Sequence, residues 1–192
     1  YLLRCIMHEF FLYYIKKKYV IMFKHLISFI KTVYQNYFEI ASCLGAVFII
    51  LLAIFMDNFL GLEACPMCIM TRYAFGLIAF VSFMGVLTNK LYRFNKLLIV
   101  LSSLSGIAVT GKQIYLQNLS PEEIANLSMG CGMPLSTQIE YFGLIGGISN
   151  AYQGGPTCAA ENWRFIFNFA EWGFIFFVAF LLLTGIKLIK GR

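Results

Sequence analysis

The sequence predicts an all-α membrane protein, a bundle of four transmembrane helices with a long irregular loop between the third and the fourth. Its 192 residues are 60% hydrophobic and 12% charged, whereas a soluble domain has about 45–50% apolar and about 25% charged residues. The apolar residues are gathered into runs of about twenty, the length at which a helix crosses the hydrocarbon core of a bilayer. No run alternates as a barrel strand does, so backbone groups in lipid must be paired within helices.

Four apolar runs are long enough to be transmembrane helices. They extend from about Ile40 to Leu62, from about Ile69 to Thr88, from about Leu97 to Leu116 and from about Trp172 to Ile189. Lys112 and Lys187 stand near the ends of the third and fourth spans, where their long side chains reach the polar interface. These spans predict one membrane domain, 40–192, with no room for a second sizeable domain.

The basic residues predict the orientation of the bundle. Lys and Arg are concentrated before the first span, at 90–96 and at the C-terminal end, and none lies between Lys112 and Arg164. Basic segments beside apolar spans stay in the cytoplasm, so both termini are predicted to be cytoplasmic, and the turn at 63–68 and the loop at 117–164 to be periplasmic. This distribution argues against nucleic acid as the reason for the net charge of +6.

Residues 1–39 are predicted to form a basic cytoplasmic extension. Lys residues among Phe, Ile and Leu at 19–37 suit an interfacial helix. The chain opens on Tyr1, and Met22 is a candidate for the true start.

The periplasmic loop is rich in glycine and proline, so it is predicted to be irregular. Its last part, 162–169, contains Trp and several Phe, which favour the membrane interface. We therefore expect a short helix there, lying on the membrane before the last span.

The motif Cys65-Pro66-Met67-Cys68 is the chemical centre of the sequence. Two cysteines three apart at a helix start form a readily exchanged disulfide, and the helix dipole stabilises a thiolate there. Arg72 follows one turn deeper on the same face, and a guanidinium within a membrane span indicates a functional site. The alternatives are a static disulfide or a zinc site, and zinc is disfavoured because no second tight cysteine pair follows.

Cys131 and Cys158 lie in the periplasmic loop, each beside glycine and proline. Taken alone, this pair indicates a structural disulfide that closes the loop. Beside the Cys65 motif, a redox pair is favoured, because an exposed disulfide accepts attack from an external thiolate and a nearby dithiol resolves it by exchange. Of the six cysteines, Cys43 is predicted to be a small buried hydrophobic residue, and Cys5 is assigned no role.

The motifs that the sequence lacks limit the possible kinds of electron acceptor. No haem attachment motif, glycine-rich dinucleotide fingerprint or iron–sulfur cysteine run is found. A lipid-soluble quinone that reaches the Cys65 motif from the bilayer fits the remaining possibilities, and no metal is expected. Asp57, in the outer third of the first span, is interpreted as a solvated helix end or, as an alternative, as part of a proton route.

These features together resemble the disulfide bond formation protein B family (DsbB). The resemblance rests on the CxxC motif that opens the second helix, the arginine four residues later, two loop cysteines, and Cys-Ala-x-x-x-Trp before the last helix. The stretch at 111–119 and the segment Cys131-Gly132-x-Pro134-Leu135 are also similar. The match covers about Ile40 to Ile189.

The resemblance implies a function in the bacterial inner membrane. Cys65 and Cys68 would be the quinone-linked pair, with Cys68 nearest the ring, and the quinone ubiquinone or menaquinone. Cys131 would form a mixed disulfide with a periplasmic thioredoxin-fold oxidase of the DsbA type, and Cys158 would exchange with Cys65. The residues implied to border the quinone head are Arg72, Gln113, Gln117 and Asn118.

Two departures and three alternatives accompany this resemblance. Thr71 stands where many family members have Glu, and Asn118 where many have His, which affects proton delivery to the quinone or its affinity and leaves the thiol relay intact. A paralogue dedicated to one partner is one alternative, and a non-catalytic scaffold with two structural disulfides is another, although a scaffold gains nothing from Arg72. A reductase like vitamin K epoxide reductase is disfavoured, because there the loop cysteines precede the CxxC motif.

Overall fold

A computed structural model describes residues 24, 28, 32–34, 37–61, 64–88, 92–125, 133–159, 164 and 166–190. By internal contacts the chain divides into Tyr1–Ala41 and Ser42–Arg192. Most of the predicted extension, Met22 included, lies outside the described residues, as do Cys5 and Cys131. The boundary between residues 39 and 40 therefore stays a prediction.

All the regular structure in the described residues is helical. In chain order the helices are α1 Phe38–Leu60, α2 Pro66–Leu87, α3 Tyr92–Gln117, α4 Pro121–Ala125, α5 Leu135–Gln153, α6 Pro156–Ala159 and α7 Phe169–Lys190. Within the same residues, extended pairing is limited to an isolated bridge between Arg164 and Asn168. The all-α prediction is confirmed.

Four of these helices, α1, α2, α3 and α7, are long and apolar enough to cross a membrane by length and composition. They coincide with the four predicted spans, so the prediction of a four-helix membrane protein is confirmed. The largest differences in bounds are at helix starts, since α3 begins at Tyr92 rather than Leu97 and α7 at Phe169 rather than Trp172. Lys96, which belongs to the basic segment predicted to precede the third span, is therefore inside α3. It is fully buried there, with its Nζ 5.3 Å from the centre of the Tyr92 ring.

Helix α3 packs along both α2 and α7. The centre of this packing is a stacked pair of rings, Phe75 and Phe177, with centroids 4.0 Å apart. Gly106 of α3 permits this approach, because a Cβ atom there would lie 2.4 Å from the Phe177 ring. Small residues at such crossings let membrane helices pack closely.

Helix α1 joins the bundle through a narrow strip that includes the fully buried Ala46. Phe180 of α7 reaches this strip and lies 3.9 Å from the Cβ position of Gly45. Much of the rest of α1 presents large exposed apolar side chains, such as Phe48 and Phe59. Exposed apolar surface of this kind suits a helix that faces lipid.

The loop between α3 and α7 is more regular than its composition predicts, since it contains α4, α5 and α6. The prediction that this loop is irregular is therefore wrong for its described part. Glycine and proline lie here at the ends and bends of helices. Pro134 occupies the N-cap position of α5, and α5 bends at Gly143, whose φ is +71°.

The short helix expected at 162–169 is not seen in its described part. Arg164 pairs with Asn168 in the isolated bridge, and α7 begins directly afterwards at Phe169. Asn168 caps α7, because its Oδ1 accepts a bond from the Glu171 N–H at 2.8 Å and Glu171 Oε2 accepts one from the Asn168 N–H at 2.8 Å. This reciprocal capping box fixes the start of α7 and replaces the predicted helix.

Candidate active site: a cysteine cluster at the start of α2

Cys65 and Cys68 are held at the N-terminus of α2. Cys65 is the N-cap residue, with extended backbone, and its Sγ accepts a hydrogen bond from the Cys68 N–H at 3.3 Å. Pro66 follows in the first turn, where the missing N–H of proline is not needed for the helix. The local sequence thus places both sulfur atoms at the positive end of the helix dipole, which favours a thiolate.

The two sulfur atoms of the motif are in contact. Cys65 Sγ lies 2.8 Å from Cys68 Sγ, within hydrogen-bond distance. Cys65 is buried, Cys68 is half-buried, and the four cysteines among the described residues are free thiols. The two sulfurs are therefore placed for a bond between them.

Cys158 of α6 joins this pair from the loop. It is fully buried, and it packs with Cys65 and Met67 in one cluster of buried side chains. A hydrogen bond from the Cys65 thiol lowers the pKa of Cys158 to about 6, and backbone bonds at Met67 and Gly155 act in the same direction. The same bond with Cys158 raises the pKa of Cys65. The proton therefore resides on Cys65, and Cys158 is the thiolate near neutral pH.

The turn between α5 and α6 explains how the loop brings Cys158 to this place. Gly154 has a φ of +80°, and a Cβ atom there would lie 2.1 Å from Leu116 near the end of α3. Only glycine combines this backbone conformation with so close an approach. The Cys158 N–H then donates to the Gly155 carbonyl at 2.9 Å, which begins α6 beside the thiol pair.

Gln113 of α3 completes the surroundings of the thiol pair. Its side chain is buried, and its Nε2 lies 3.3 Å from Cys68 Sγ and 3.6 Å from Cys65 Sγ, donating to both. A glutamine amide has two N–H donors, so both bonds can be made at once. The family resemblance implies that Gln113 borders a quinone, and in the structure its side chain contacts the sulfur atoms of Cys65 and Cys68.

Arg72 of α2 lies one turn after Cys68, and its guanidinium is paired with Asp57 of α1. Nη2 of Arg72 donates to Oδ2 of Asp57, and the two side chains are 23% and 20% exposed. The interpretation of Asp57 as a solvated helix end is therefore wrong, because the carboxylate is half-buried and ion-paired. No local signal in the sequence indicates this pair, since its members lie on different helices.

The two remaining candidates at the end of α3 have other partners. Gln117 Oε1 accepts a hydrogen bond from Asn168 Nδ2 at 3.0 Å, which links the end of α3 to the start of α7. The exposed Asn118 donates from Nδ2 to the Ile114 carbonyl of its own helix at 2.7 Å. Among the described candidates, the sulfurs are thus approached by Gln113 of α3 and by Cys158 of the loop.

The arrangement supports thiol–disulfide exchange. Cys65 Sγ lies beside Cys68 Sγ, and Cys65 and Cys158 belong to the same buried cluster, so a disulfide can pass between the two pairs at Cys65. Thiolate character, which nucleophilic sulfur requires, is favoured at Cys158. The fold and the site together define a multi-span helical membrane protein whose candidate reactive groups are cysteine thiols.

The chain belongs to the disulfide bond formation protein DsbB family, whose family model matches residues 35–186. The family predicted from the cysteine pattern is therefore confirmed.

Individual relatives support this membership. The chain is 32% identical to disulfide bond formation protein B of Azoarcus sp. (strain BH72) over 143 residues, which are 72% of this chain and 82% of that protein. It is 33% identical to the protein of the same name from Polaromonas naphthalenivorans (strain CJ2) over 150 residues, 76% of this chain and 86% of the relative. The corresponding protein of Acinetobacter baylyi is 28% identical over 156 residues, 79% of this chain and 86% of the relative. No solved structure matches the chain.

Proposed function

We propose that this protein reoxidises a periplasmic thioredoxin-fold dithiol oxidase of the DsbA type and passes the electrons to a membrane quinone. It is then a quinone-dependent, disulfide-forming oxidoreductase of the bacterial inner membrane. Cys131 and Cys158 receive the electrons from the partner, and Cys65 and Cys68 transfer them onward. The observation that carries the proposal is the packing of Cys65 with both Cys68 and Cys158 in one buried cluster.

The relay begins with the Cys65–Cys68 pair oxidised and with Cys158 and Cys131 reduced by the partner. The Cys158 thiolate attacks Cys65 Sγ, the bond between Cys65 and Cys68 breaks, and Cys68 leaves as a thiolate. Cys131 then attacks Cys158 and frees Cys65. The products are a Cys131–Cys158 disulfide, ready for the next partner dithiol, and a reduced Cys65–Cys68 pair that carries two electrons.

The residues around the thiol pair fit a quinone. When bound, a quinone accepts the two electrons and two protons that a dithiol releases on oxidation. Arg72 supplies planar N–H donors suited to a carbonyl oxygen, and its bond to Asp57 uses one of the five. Gln113 brings a buried amide to the same end of α2. Gln117 and Asn118 are proposed at the border of the quinone head on the basis of the family resemblance.

The proposed orientation follows the distribution of charge. The basic segments at 90–96 and 187–192 adjoin the ends of the spans remote from Cys65. Basic segments remain in the cytoplasm, which supports cytoplasmic termini and a periplasmic cysteine cluster. An exported dithiol partner then meets Cys131 without crossing the membrane.

Two alternative functions differ from this proposal, one in the range of partners and the other in having no catalytic activity. A paralogue dedicated to one partner uses the same relay, and only a comparison of several dithiol proteins separates it from a general oxidase. A non-catalytic scaffold is disfavoured, because structural cysteines have no need of a buried amide donor and a thiolate in contact with a third thiol.

The decisive experiment measures quinone reduction by the purified full chain in lipid nanodiscs, with a reduced thioredoxin-fold oxidase as the electron donor. Ubiquinone and menaquinone are supplied in separate reactions. We expect quinone consumption that Cys68→Ser abolishes and that Cys43→Ser leaves unchanged, since Cys43 lies in α1 outside the cluster. Continued turnover by Cys68→Ser contradicts the proposal.

A trapping experiment tests the entry point for electrons. A partner variant that retains only its attacking cysteine is mixed with the oxidised chain, and the adduct is mapped by mass spectrometry. We expect a mixed disulfide at Cys131. An adduct confined to Cys43 or Cys5 contradicts the assignment.

A further inference from the structure

Gln113 is an amide buried among sulfur atoms. Its side chain is 4% exposed, and its Nε2 lies 3.3 Å from Cys68 Sγ and 3.6 Å from Cys65 Sγ. Burying an amide N–H costs free energy unless the group finds an acceptor. In this site the acceptors are the two sulfurs of the reactive pair, so the strength of the contact depends on their charge.

The charge on sulfur changes during the exchange. A thiol or disulfide sulfur is a weak acceptor, whereas hydrogen bonds to ionised groups are markedly stronger. The bond from Gln113 is therefore weak while Cys65 and Cys68 are joined, and it strengthens when one of them becomes a thiolate. A group that binds more tightly as charge develops lowers the barrier of the step that creates the charge.

We propose that Gln113 is a catalytic residue that stabilises the Cys68 thiolate as it leaves the Cys65–Cys68 disulfide. In this step Cys158 Sγ forms a bond to Cys65 Sγ and the bond between Cys65 and Cys68 breaks. The bonding electron pair goes to Cys68 Sγ, so one negative charge moves from Cys158 to Cys68. No proton and no external oxidant take part, and the charge arrives at the sulfur that has the shorter contact with Gln113.

This inference rests on the proposed function for the identity of the exchange step. It differs from a role in quinone binding, because a residue that contacts only the quinone has no effect on thiol exchange when quinone is absent. The two roles are separated by measurements made on the protein stripped of quinone.

The test uses two variants of Gln113 and one control on the same helix. Gln113→Leu removes the donor, and Gln113→Glu keeps the shape while replacing the amide by a carboxyl group. Thr110→Val is the control, since Thr110 is also buried in α3 but its hydroxyl donates to the Gly106 carbonyl of its own helix at 2.7 Å.

The first measurement is the equilibrium of the Cys65–Cys68 pair with a glutathione redox buffer, in a background that carries Cys131→Ser and Cys158→Ser. The measurement is made at alkaline pH, where the reduced pair carries a thiolate, so removing the donor destabilises the reduced form and favours the disulfide. We expect the equilibrium constant to move toward the disulfide by about tenfold or more in Gln113→Leu, the size expected for one hydrogen bond to a charged group. Thr110→Val is expected to match the unsubstituted background.

The second measurement is the rate at which the Cys65–Cys158 linkage appears after the oxidised chain is mixed with a dithiol reductant, followed by acid quenching and mass spectrometry. We expect this rate to fall by about tenfold in Gln113→Leu and further in Gln113→Glu near neutral pH, where a carboxylate repels the leaving thiolate. At lower pH the rate in Gln113→Glu, taken relative to that of the unsubstituted chain at the same pH, should recover, because the protonated carboxyl group again has a donor. A role in packing alone produces no such recovery.

The outcomes are distinguishable. If both Gln113 variants keep the unsubstituted equilibrium and exchange rate, the inference is overturned, and the near-isosteric Gln113→Glu gives this answer even if Gln113→Leu does not fold. If quinone is not reduced by the full chain while exchange still depends on Gln113, the proposed function fails and the inference stands.

Discussion

Arg72 in α2 donates a hydrogen bond from its guanidinium to the carboxylate of Asp57 in α1. The pair links a helix with much exposed apolar surface to the helix that begins at the reactive cysteines. It also compensates a positive charge that is costly within a membrane span. The pair thus serves both the attachment of α1 and the electrostatics of the site.

Asp57→Asn should destabilise the protein, because it leaves the Arg72 guanidinium without its counter-ion. Both side chains are about one fifth exposed, so we expect a loss of about 1–3 kcal/mol, between the values for exposed and buried pairs. The change in the free energy of unfolding is measured in detergent micelles. As a control, Arg164→Gln breaks the more exposed pair with Glu171, at 3.6 Å, and should have little effect. Equal losses in the two variants contradict the prediction.

Gly106→Ala should disturb the crossing of α3 and α7. The added Cβ atom would lie 2.4 Å from the ring of Phe177, which is buried and stacked on Phe75. Overpacking of this kind costs about 1–3 kcal/mol, measured as a lower unfolding midpoint. Gly76→Ala in α2 is the matched control, because its Cβ atom meets nothing within 4 Å, and alanine should be neutral or slightly stabilising there. A midpoint for Gly106→Ala as high as that of the control argues against the close crossing.

The ionisation of Cys158 should be visible in a pH titration of the reduced protein. Its pKa is lowered to about 6, chiefly by the hydrogen bond from Cys65, so Cys158 is a thiol below that pH and a thiolate above it. We expect thiolate ultraviolet absorbance in Cys68→Ser to rise through about pH 6, ahead of ordinary cysteines near about 8.5.

The rate at which a small alkylating reagent modifies Cys158 in the reduced protein should rise over the same pH range and level off above it, because the thiolate is the nucleophile. Cys65→Ala removes the donor and should move the titration of Cys158 to higher pH. A titration that begins only near the ordinary value, with or without Cys65, contradicts the assignment of the thiolate to Cys158.

Asn168→Ala should weaken the start of α7. The side chain of Asn168 accepts from the Glu171 N–H at 2.8 Å and donates to Gln117 Oε1 at 3.0 Å. Loss of an N-cap costs about 1 kcal/mol, and loss of the link to α3 adds to it, which unfolding in micelles measures. Asn168→Ser keeps a capping oxygen but lacks the amide group that reaches Gln117. Serine should therefore recover only the part of the stability that the N-cap supplies. If serine is no better than alanine, the cap is not the cause.

Much of this protein was determined by the sequence itself, because the signals are local. The apolar runs specify four membrane helices by length and composition. Cys65 followed by Pro66 specifies a thiol pair at a helix N-terminus, since the cap and the first turn are set by neighbouring residues. The secondary structure of the loop between α3 and α7 was not predicted correctly, because its glycine and proline residues were expected to prevent helix formation. Pro134 instead stands at the start of a helix, and Gly143 bends one.

The residues that contact the thiol pair depend on the tertiary structure and could not be predicted from local sequence. Cys158 reaches Cys65 because Gly154 allows the loop to close on Leu116. Gln113 faces the sulfurs, and Asp57 faces Arg72, because of how α1, α2 and α3 are rotated about their axes. Such rotations are set by packing summed over whole helices, and no spacing within a single segment of the chain records them.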